Sequence, residues 1–249
     1  MTTFPDGFNQ FHLDACDSTN DYLKQNITRL EADFPLMVSA AVQTAGRGRE
    51  SRSWISRNNL GIYATFGFHL PGNRGLSLLS ITSGIAVIDM LEHWTGKVFS
   101  LKWPNDILAD GKKIAGILCE TMINADKIIC LVGIGVNVNH DTDDFPSALR
   151  GRAGSLKLLT GVEWALDCGR ERLAASMAAW LQRLETGRPD AILSRARSLS
   201  RSFLGREIQF RQQGRTLRGT FCGLADDGGL RLSMAGREEK IFYNGEITG

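Results

Sequence analysis

Four short segments of this chain concentrate residues able to handle anions and a polar ring. The first is Ser18-Thr19-Asn20, with Gln43 further on. The second is Gly46-Arg47-Gly48-Arg49-Glu50-Ser51-Arg52-Ser53-Trp54. The third is Lys102-Trp103-Pro104-Asn105-Asp106, followed by Lys112-Lys113-Ile114-Ala115-Gly116. The fourth is Gly133-Ile134-Gly135-Val136-Asn137-Val138-Asn139. Arg47, Arg49 and Arg52 fall within six residues, and guanidinium forks match carboxylate and phosphate oxygens. Gly46 and Gly48 let a ligand approach that backbone closely, and Trp54 offers a face on which a purine can stack. Read alone, the same stretch also fits a solvated basic loop ahead of a core tryptophan.

The third segment narrows the choice. A lysine, an amide and a carboxylate grouped at a strand exit suit phosphates, a purine or ribose, and Mg²⁺. Lys113 lies beyond a turn at Ala109-Asp110-Gly111 and is expected to return toward Lys102. In isolation Asn105-Asp106 fits a plain turn, Lys113 an exposed strand position, and Gln43 and Asn137 residues that satisfy backbone groups. The four segments together are much harder to explain that way.

The elements that must position these residues follow from periodicity. Asp17-Ser18-Thr19-Asn20 supplies N-caps for a helix carrying Tyr22, Leu23, Ile27 and Leu30. Leu36 to Gln43 reads as a strand, and residues 44–59 as an aperiodic loop. Between Leu60 and Leu70 every even position is apolar, the pattern of a half-buried strand. Leu76 to Trp94 reads as a helix. Three strands are expected at Val98–Trp103, Ile114–Met122 and Lys127–Asn139, and helices at Val162–Leu184 and Pro189–Ser202. From Gly205 short runs alternate with turn residues at Gln213-Gly214, Asp227-Gly228-Gly229 and Ala235-Gly236, as in a small antiparallel barrel. The architecture is α+β, a mixed sheet packed with helices, divided as 1–203 and 204–249.

Composition excludes several classes. Hydrophobic residues make up 43 % and charged residues 22 %, so neither a disordered nor a fibrous chain fits. A net charge of +2 confines any polyanion binding to a local patch. No signal peptide is apparent, and no apolar run is read as a membrane span, so a soluble, cytoplasmic protein is expected. Five scattered cysteines and four scattered histidines give neither a disulfide framework nor zinc-ligand spacing. P-loop, G-x-G-x-x-G and G-x-S-x-G motifs are absent.

Gly46-Arg47-Gly48-Arg49-x-x-Arg52-x-Trp54 and Lys102-Trp103-Pro104-Asn105-Asp106, with Lys113-x-Ala115-Gly116, resemble the motifs of the biotin protein ligases, the biotin–[acetyl-CoA-carboxylase] ligases. The resemblance runs from Ser18 to Asn244-Gly245-Glu246-Ile247. It implies a catalytic domain of the class II aminoacyl-tRNA synthetase-like, biotin–lipoate ligase fold, with a C-terminal SH3-like domain. It also implies a two-step reaction: ATP activates biotin to biotinyl-5′-AMP, and a lysine of a biotin carboxyl carrier protein or domain then takes the biotin.

On this resemblance Arg49, Lys102, Asp106 and Lys113 are catalytic. Ser18, Thr19, Asn20, Gln43, Gly46, Arg47, Gly48, Arg49, Lys113, Gly116 and Gly135 bind biotin. Arg49, Arg52, Trp54, Lys102, Asn105, Asp106 and Asn137 bind ATP, and Asp106 holds Mg²⁺. Gly116, Gly133 and Gly135 are expected to keep the pocket floor free of side chains. Some members carry a further basic residue where this chain has Glu50-Ser51, which lowers the loop's charge. Some carry an N-terminal winged-helix domain; 17 residues ahead of Ser18 are too few for one, so no DNA partner is expected, nor a membrane. A homodimer along a sheet edge is expected. With the site empty, repulsion among Arg47, Arg49, Arg52 and Arg57 should loosen the loop. Two other functions stay open: a lipoate or octanoate ligase of the same fold, and a non-catalytic biotin-binding regulator.

Overall fold

Two parallel strands begin the chain. β1 (Asn9–Cys16) lies along β2 (Leu36–Gln43), joined by α1 (Thr19–Gln25) and the single turn α2 (Ile27–Leu30). The computed structural model describes residues 4, 7–70, 75–124, 127–234 and 238–248. The turn expected at Ala235-Gly236 lies outside them. Ser18 caps α1, its side chain accepting from the Asp21 N–H. The expected single helix from Tyr22 to Leu30 breaks at Asn26, whose side chain turns back to donate to Tyr22 O at 2.8 Å.

β3 (Gly61–Leu70), α3 (Leu79–Thr95), β4 (Ser100–Lys102), β5 (Asp106–Ala109), β6 (Lys112–Asn124) and β7 (Lys127–Asn137) follow. The main sheet has the order β1-β2-β3-β7-β6-β5-β4, antiparallel except for the first pair. α4 (Leu156–Thr160), α5 (Leu166–Glu185) and α6 (Pro189–Leu199) come next, and α3, α5 and α6 pack together on one face of that sheet. α1 covers part of the other face.

The strand expected to be half-buried is buried on both faces. Ile62, Ala64, Phe66, Phe68 and Leu70 of β3 join the main core beneath α3 and α5, while Tyr63 and Thr65 are sealed on the α1 side. A central strand reads as alternating when polar residues on its second face are needed for hydrogen bonds. The segment Leu76–Thr95 also departs from expectation: its length and mean hydropathy of 1.3 meet the requirement for a membrane span. Two thirds of that window is buried against the sheet and its neighbouring helices, which accounts for its apolarity.

Four elements were not anticipated: β1, β5, α4 and β12 (Glu246–Ile247). β1 is a mostly exposed edge strand with little apolar alternation. β5 is inserted between the two strands expected to be neighbours, because residues 103–105 form a tight turn that sets Asp106 opposite Lys102. The helix expected from Val162 starts only at Leu166. Gly161, at φ 79°, ends α4, and Asn139 then holds the Trp164 N–H and C=O at 2.9 and 3.0 Å. The C-terminal residues form a second sheet, β8 (Glu207–Gln212), β9 (Arg215–Leu224), β10 (Leu230–Ser233), β11 (Glu239–Phe242) and β12, in the order β11-β10-β9-β8-β12. Its core side chains, Phe210, Phe221 and Leu232 among them, are continuous with the main core.

Candidate functional site

Register in the main sheet lines up the motif residues. Antiparallel partners share a face, so Lys102, Asp106, Gly116, Gly135 and Tyr63 form one row across five strands. The adjacent row carries Leu118, Gly133 and Thr65, and the next carries Glu120, Leu131 and Gly67. Lys102, Asp106, Gly116 and Gly135 of the first row and Leu118 and Gly133 of the second floor a cavity of about 650 Å³ whose walls come from α1, the 44–59 loop, residues 145–153 and the end of β12. That volume suits a ligand of cofactor size.

At one end the floor meets α1, and the polar groups are neutral and mutually satisfied. Gln43 Oε1 accepts from the Thr19 N–H at 2.8 Å and lies 3.1 Å from the Thr19 hydroxyl, while its Nε2 donates to Ser56 Oγ at 3.0 Å. Thr65 Oγ1 donates to Asn20 Oδ1 at 2.5 Å and lies 2.8 Å from Thr19 Oγ1. Asn20 Nδ2 donates to Glu120 Oε2 at 2.9 Å. Ser18, Thr19, Asn20 and Thr65 are all buried, so an unmet partner here would cost about 1–3 kcal/mol.

The other end is cationic. Lys113 Nζ lies 2.6 Å from Asp106 Oδ1 and 5.5 Å from the centre of the Trp54 ring. Burial holds the Lys102 ammonium below its ordinary pKa; Asp106 opposes that shift, and Lys113 and Arg152 add to it. The Lys113 backbone bridges to Ala153, and Asn137 Nδ2 donates to Gly154 O at 3.0 Å, so Asn137 braces that junction. Asn105 Nδ2 donates to Ile117 O at 2.9 Å, and its Oδ1 accepts from Arg49 Nη1 at 3.0 Å. Both amides proposed to frame a nucleotide therefore hold the protein's own parts in place.

The three floor glycines line the cavity and are hemmed in by side chains of the site. A Cβ on Gly133 would lie 2.3 Å from Asn20 Oδ1, and one on Gly135 2.3 Å from Trp54 Cε2. Gly116 likewise faces Lys113 and Trp54. They make room for the protein's own working side chains. Trp54 Nε1 is buried there with no hydrogen-bond partner among the described residues, leaving an N–H donor in the cavity.

The arginine loop is a small hairpin. The Trp54 N–H donates to Gly46 O at 2.8 Å, the Gly48 N–H to Arg52 O at 2.6 Å, and Arg47 pairs with Ser53. Glu50 and Ser51 turn its tip through left-handed backbone, at φ 53° and 58°. The expected repulsion among arginines is offset, because each has found a partner. Arg47 lies between Asp21 and Glu120, at 2.8 and 2.7 Å. Arg49 reaches Gly245 O at 2.9 Å as well as Asn105, and Arg57 Nε donates to Asp144 O at 3.3 Å. Arg52 and Arg211 both bind the Glu246 carboxylate, and Glu50 lies 3.5 Å from Arg211. Burial raises the Glu246 carboxyl, but these two guanidiniums outweigh it and hold its pKa below the ordinary value. Glu50 thus ties the loop to the second sheet.

Sequence reasoning gave no role to Asp21, Ser56, Thr65, Glu120, Arg152, Arg211 or Glu246. Thr65 had a readable signal, a polar residue on the second face of an otherwise apolar strand. Glu120 and Arg211 had none, since only strand register and contact between the sheets bring them to the loop. The five cysteines are unpaired, and burial lifts the Cys119 and Cys130 thiols to about 12, which leaves them inert.

Known proteins share this arrangement. Residues 13–139 match the Biotin/lipoate A/B protein ligase family, and residues 203–248 match the biotin protein ligase C-terminal domain. A biotin--[acetyl-CoA-carboxylase] ligase of Paracoccus denitrificans is 31 % identical over 230 residues, covering 84 % of this chain and 90 % of its own. The bifunctional ligase/repressor BirA of Bacillus spizizenii is 33 % identical over 225 residues, covering 85 % of this chain but only 65 % of the relative's length. The solved biotin protein ligase of Aquifex aeolicus, in complex with biotin and ATP, superposes with a TM-score of 0.82 at 30 % identity, covering 96 % of this chain and 97 % of that one. With the family model matching residues 13–139 and relatives of 30 % identity or more covering most of its length, the chain belongs to the biotin protein ligases of the Biotin/lipoate A/B protein ligase family.

Proposed function

We propose that this chain activates biotin with ATP and transfers it to a lysine of a biotin carboxyl carrier domain, such as that of acetyl-CoA carboxylase. The observation that carries this reading is one groove running from a neutral, hydrogen-bonded end to a cationic end. A ureido ring has both donors and acceptors and fits the first end; the apolar ring of lipoate would gain no hydrogen bond there. A carboxylate and a triphosphate fit the second.

In the first step a biotin carboxylate oxygen bonds to the α-phosphorus of ATP, and the bond to the β-phosphate oxygen breaks, releasing pyrophosphate. Two anions must meet, so fixed positive charge at the point of attack lowers the barrier most. Lys113 and Arg49 supply it at the junction, and Lys102, Arg52 and Arg152 supply it along the phosphates. Ser18, Thr19 and Asn20, with the backbone of Gly46 and Arg47, take the ring. Gln43 acts indirectly by fixing Thr19. In the second step the carrier's neutral lysine amine bonds to the acyl carbon, the bond to the phosphate oxygen breaks, releasing AMP, and the surplus amine proton passes to solvent.

The residues fit a Mg²⁺ ion that arrives with the nucleotide. No cluster of three acidic, His or Cys ligands occurs among the described residues, and Mg²⁺ characteristically uses one or two carboxylates plus substrate phosphates. Asp106 is the carboxylate on the cationic row, and the ion would neutralise phosphate charge there. We further propose that the protein acts in the cytoplasm, has no sequence-specific DNA partner, and pairs as a homodimer along a sheet edge. The net charge of +2 supports the second of these. Biotin-dependent exchange of labelled pyrophosphate into ATP tests the activity. Exchange with biotin and none with lipoate is expected; no exchange, or exchange with lipoate alone, would overturn the reading.

A further inference from the structure

Glu120 lies outside every motif, yet one of its oxygens is the meeting point of two parts of the site. Glu120 Oε2 accepts from Asn20 Nδ2 at 2.9 Å and from Arg47 Nη2 at 2.7 Å. Asn20 belongs to the neutral end, where its amide lies flat against Gly133 and under Thr65. Arg47 belongs to the base of the arginine hairpin, paired through its backbone with Ser53 and flanked by the Gly46–Trp54 hydrogen bond. Its guanidinium spans from Asp21 on α1 to Glu120 on β6. The hairpin base is therefore fixed to the sheet by a side chain as well as by backbone. Trp54 flanks Arg47 and Ser53 at the foot of the hairpin and Arg49 lies two residues further toward its tip, so the pin acts next to both.

We infer that Glu120 is a positioning residue for the adenylation site, holding the arginine hairpin closed through Arg47 and linking that closure to Asn20 at the neutral end. The inference rests on the proposed biotin ligase activity for its consequence, but not for its geometry. The carboxylate is partly exposed, with 23 % of its side-chain surface accessible, so the pin is strong enough to bias the hairpin and weak enough to release it. Asp21 gives Arg47 a second anchor on α1. Loss of Glu120 should therefore loosen the hairpin without unfolding the protein.

The test uses the full-length protein and Glu120→Gln, which can still accept from Asn20 but loses the ion pair to Arg47. Trypsin cleavage after Arg47 and Arg49, measured without substrates, should be roughly 1.5- to 5-fold faster in the variant, the scale of losing one partly exposed charge pair. The melting temperature should shift by less than about 4 °C. With biotin and ATP, adenylate escape, read as biotinylation of bystander lysines, should rise by a similar factor, and steady-state pyrophosphate release without carrier should rise with it. In an Arg47→Ala background Glu120→Gln should add nothing, because the pin acts through Arg47. The charge-swapped pair Arg47→Glu with Glu120→Arg should recover part of the protection against trypsin. Equal cleavage rates in parent and variant, or full additivity with Arg47→Ala, would overturn the pin. A parent protein that releases no pyrophosphate would instead sink the ligase reading, and the substrate-free cleavage assay would still decide the pin.

Discussion

The floor and the roof of the groove are held in place by different physics. The floor is a sheet: Lys102, Asp106, Gly116, Gly135 and Tyr63 share a row because backbone ladders set the register of five strands. A one-residue slip would turn every one of them to the wrong face. The roof is a hairpin of residues 46–54 that belongs to no sheet and is tied down by side chains reaching α1, β6 and the second sheet. Floor positions are fixed by backbone ladders and unforgiving, whereas roof contacts are partly exposed side-chain pairs that are individually weak. A site built this way keeps its recognition geometry constant while its cover can open to admit substrates and the carrier lysine.

The largest expected effect lies where floor and roof meet. Lys113→Ala removes the charge between Asp106 and Trp54, and single-turnover adenylate formation should slow by roughly 10²-fold or more, the scale of one preorganised electrostatic donor. A loss of thermal stability with an unchanged rate would place Lys113 among the structural residues.

A buried histidine beside Tyr63 should show itself in acid. His140 is fully buried and stacked on Phe145, and its Nε2 lies 3.4 Å from the Tyr63 hydroxyl, which binds both the N–H and the C=O of Arg57. Burial lowers its pKa from 6.5 to about 4, with Asp144 opposing and Arg57 assisting. Below pH 6.5 the unfolded chain takes up a proton that the folded protein refuses, so stability falls as pH drops from 6.5 toward 4. The full contribution is about 3 kcal/mol. Denaturant unfolding across that range should weaken less in His140→Phe than in the parent; parallel curves would remove His140 from the account.

Thr65→Val probes the floor alone. It keeps the shape but removes the hydroxyl that serves Asn20 and Thr19, leaving a buried amide oxygen unmet. The KM for biotin should rise about tenfold with kcat nearly unchanged, consistent with a buried hydrogen bond worth about 1–3 kcal/mol. A fall in kcat alone would shift this network's role from binding to chemistry.

The smallest effect belongs to the roof. Glu246→Gln weakens the contact of Arg52 and Arg211 with β12, and the KM for ATP should change about two- to fivefold, as for a partly exposed ion pair. The difference from the parent should shrink as salt rises from 0.05 to about 0.5 M. A salt-independent, hundredfold loss would mean that the second sheet is part of the floor rather than a tie for the cover.

The chemistry-bearing segments were legible because motif spacing is local. The arginine hairpin, the Lys102 to Asp106 turn and the Ser18 cap are each defined within ten residues of chain. Strands β2, β3 and β7 were legible because apolar runs between turn residues leave few alternatives. β1 and β5 were not, since a polar edge strand and a four-residue insert carry too little periodicity to stand out.

Sequence by itself determined which residue types this protein would use: a neutral cluster, a basic loop, and lysines with a carboxylate. Only the tertiary structure decided how those residues divide their work. Asn105, Asn137 and Gln43 line the cavity, and it is the fold that gives their amides the partners Arg49, Ile117, Gly154, Thr19 and Ser56. Glu120, Arg211 and Glu246 looked like ordinary surface charges until strand register and contact between the sheets set them against Arg47, Arg52 and Glu50. The physical reason is range: capping, periodicity and turn chemistry act over a few residues, whereas a hydrogen-bond partner a hundred residues away is chosen by how strands pair and which faces are buried.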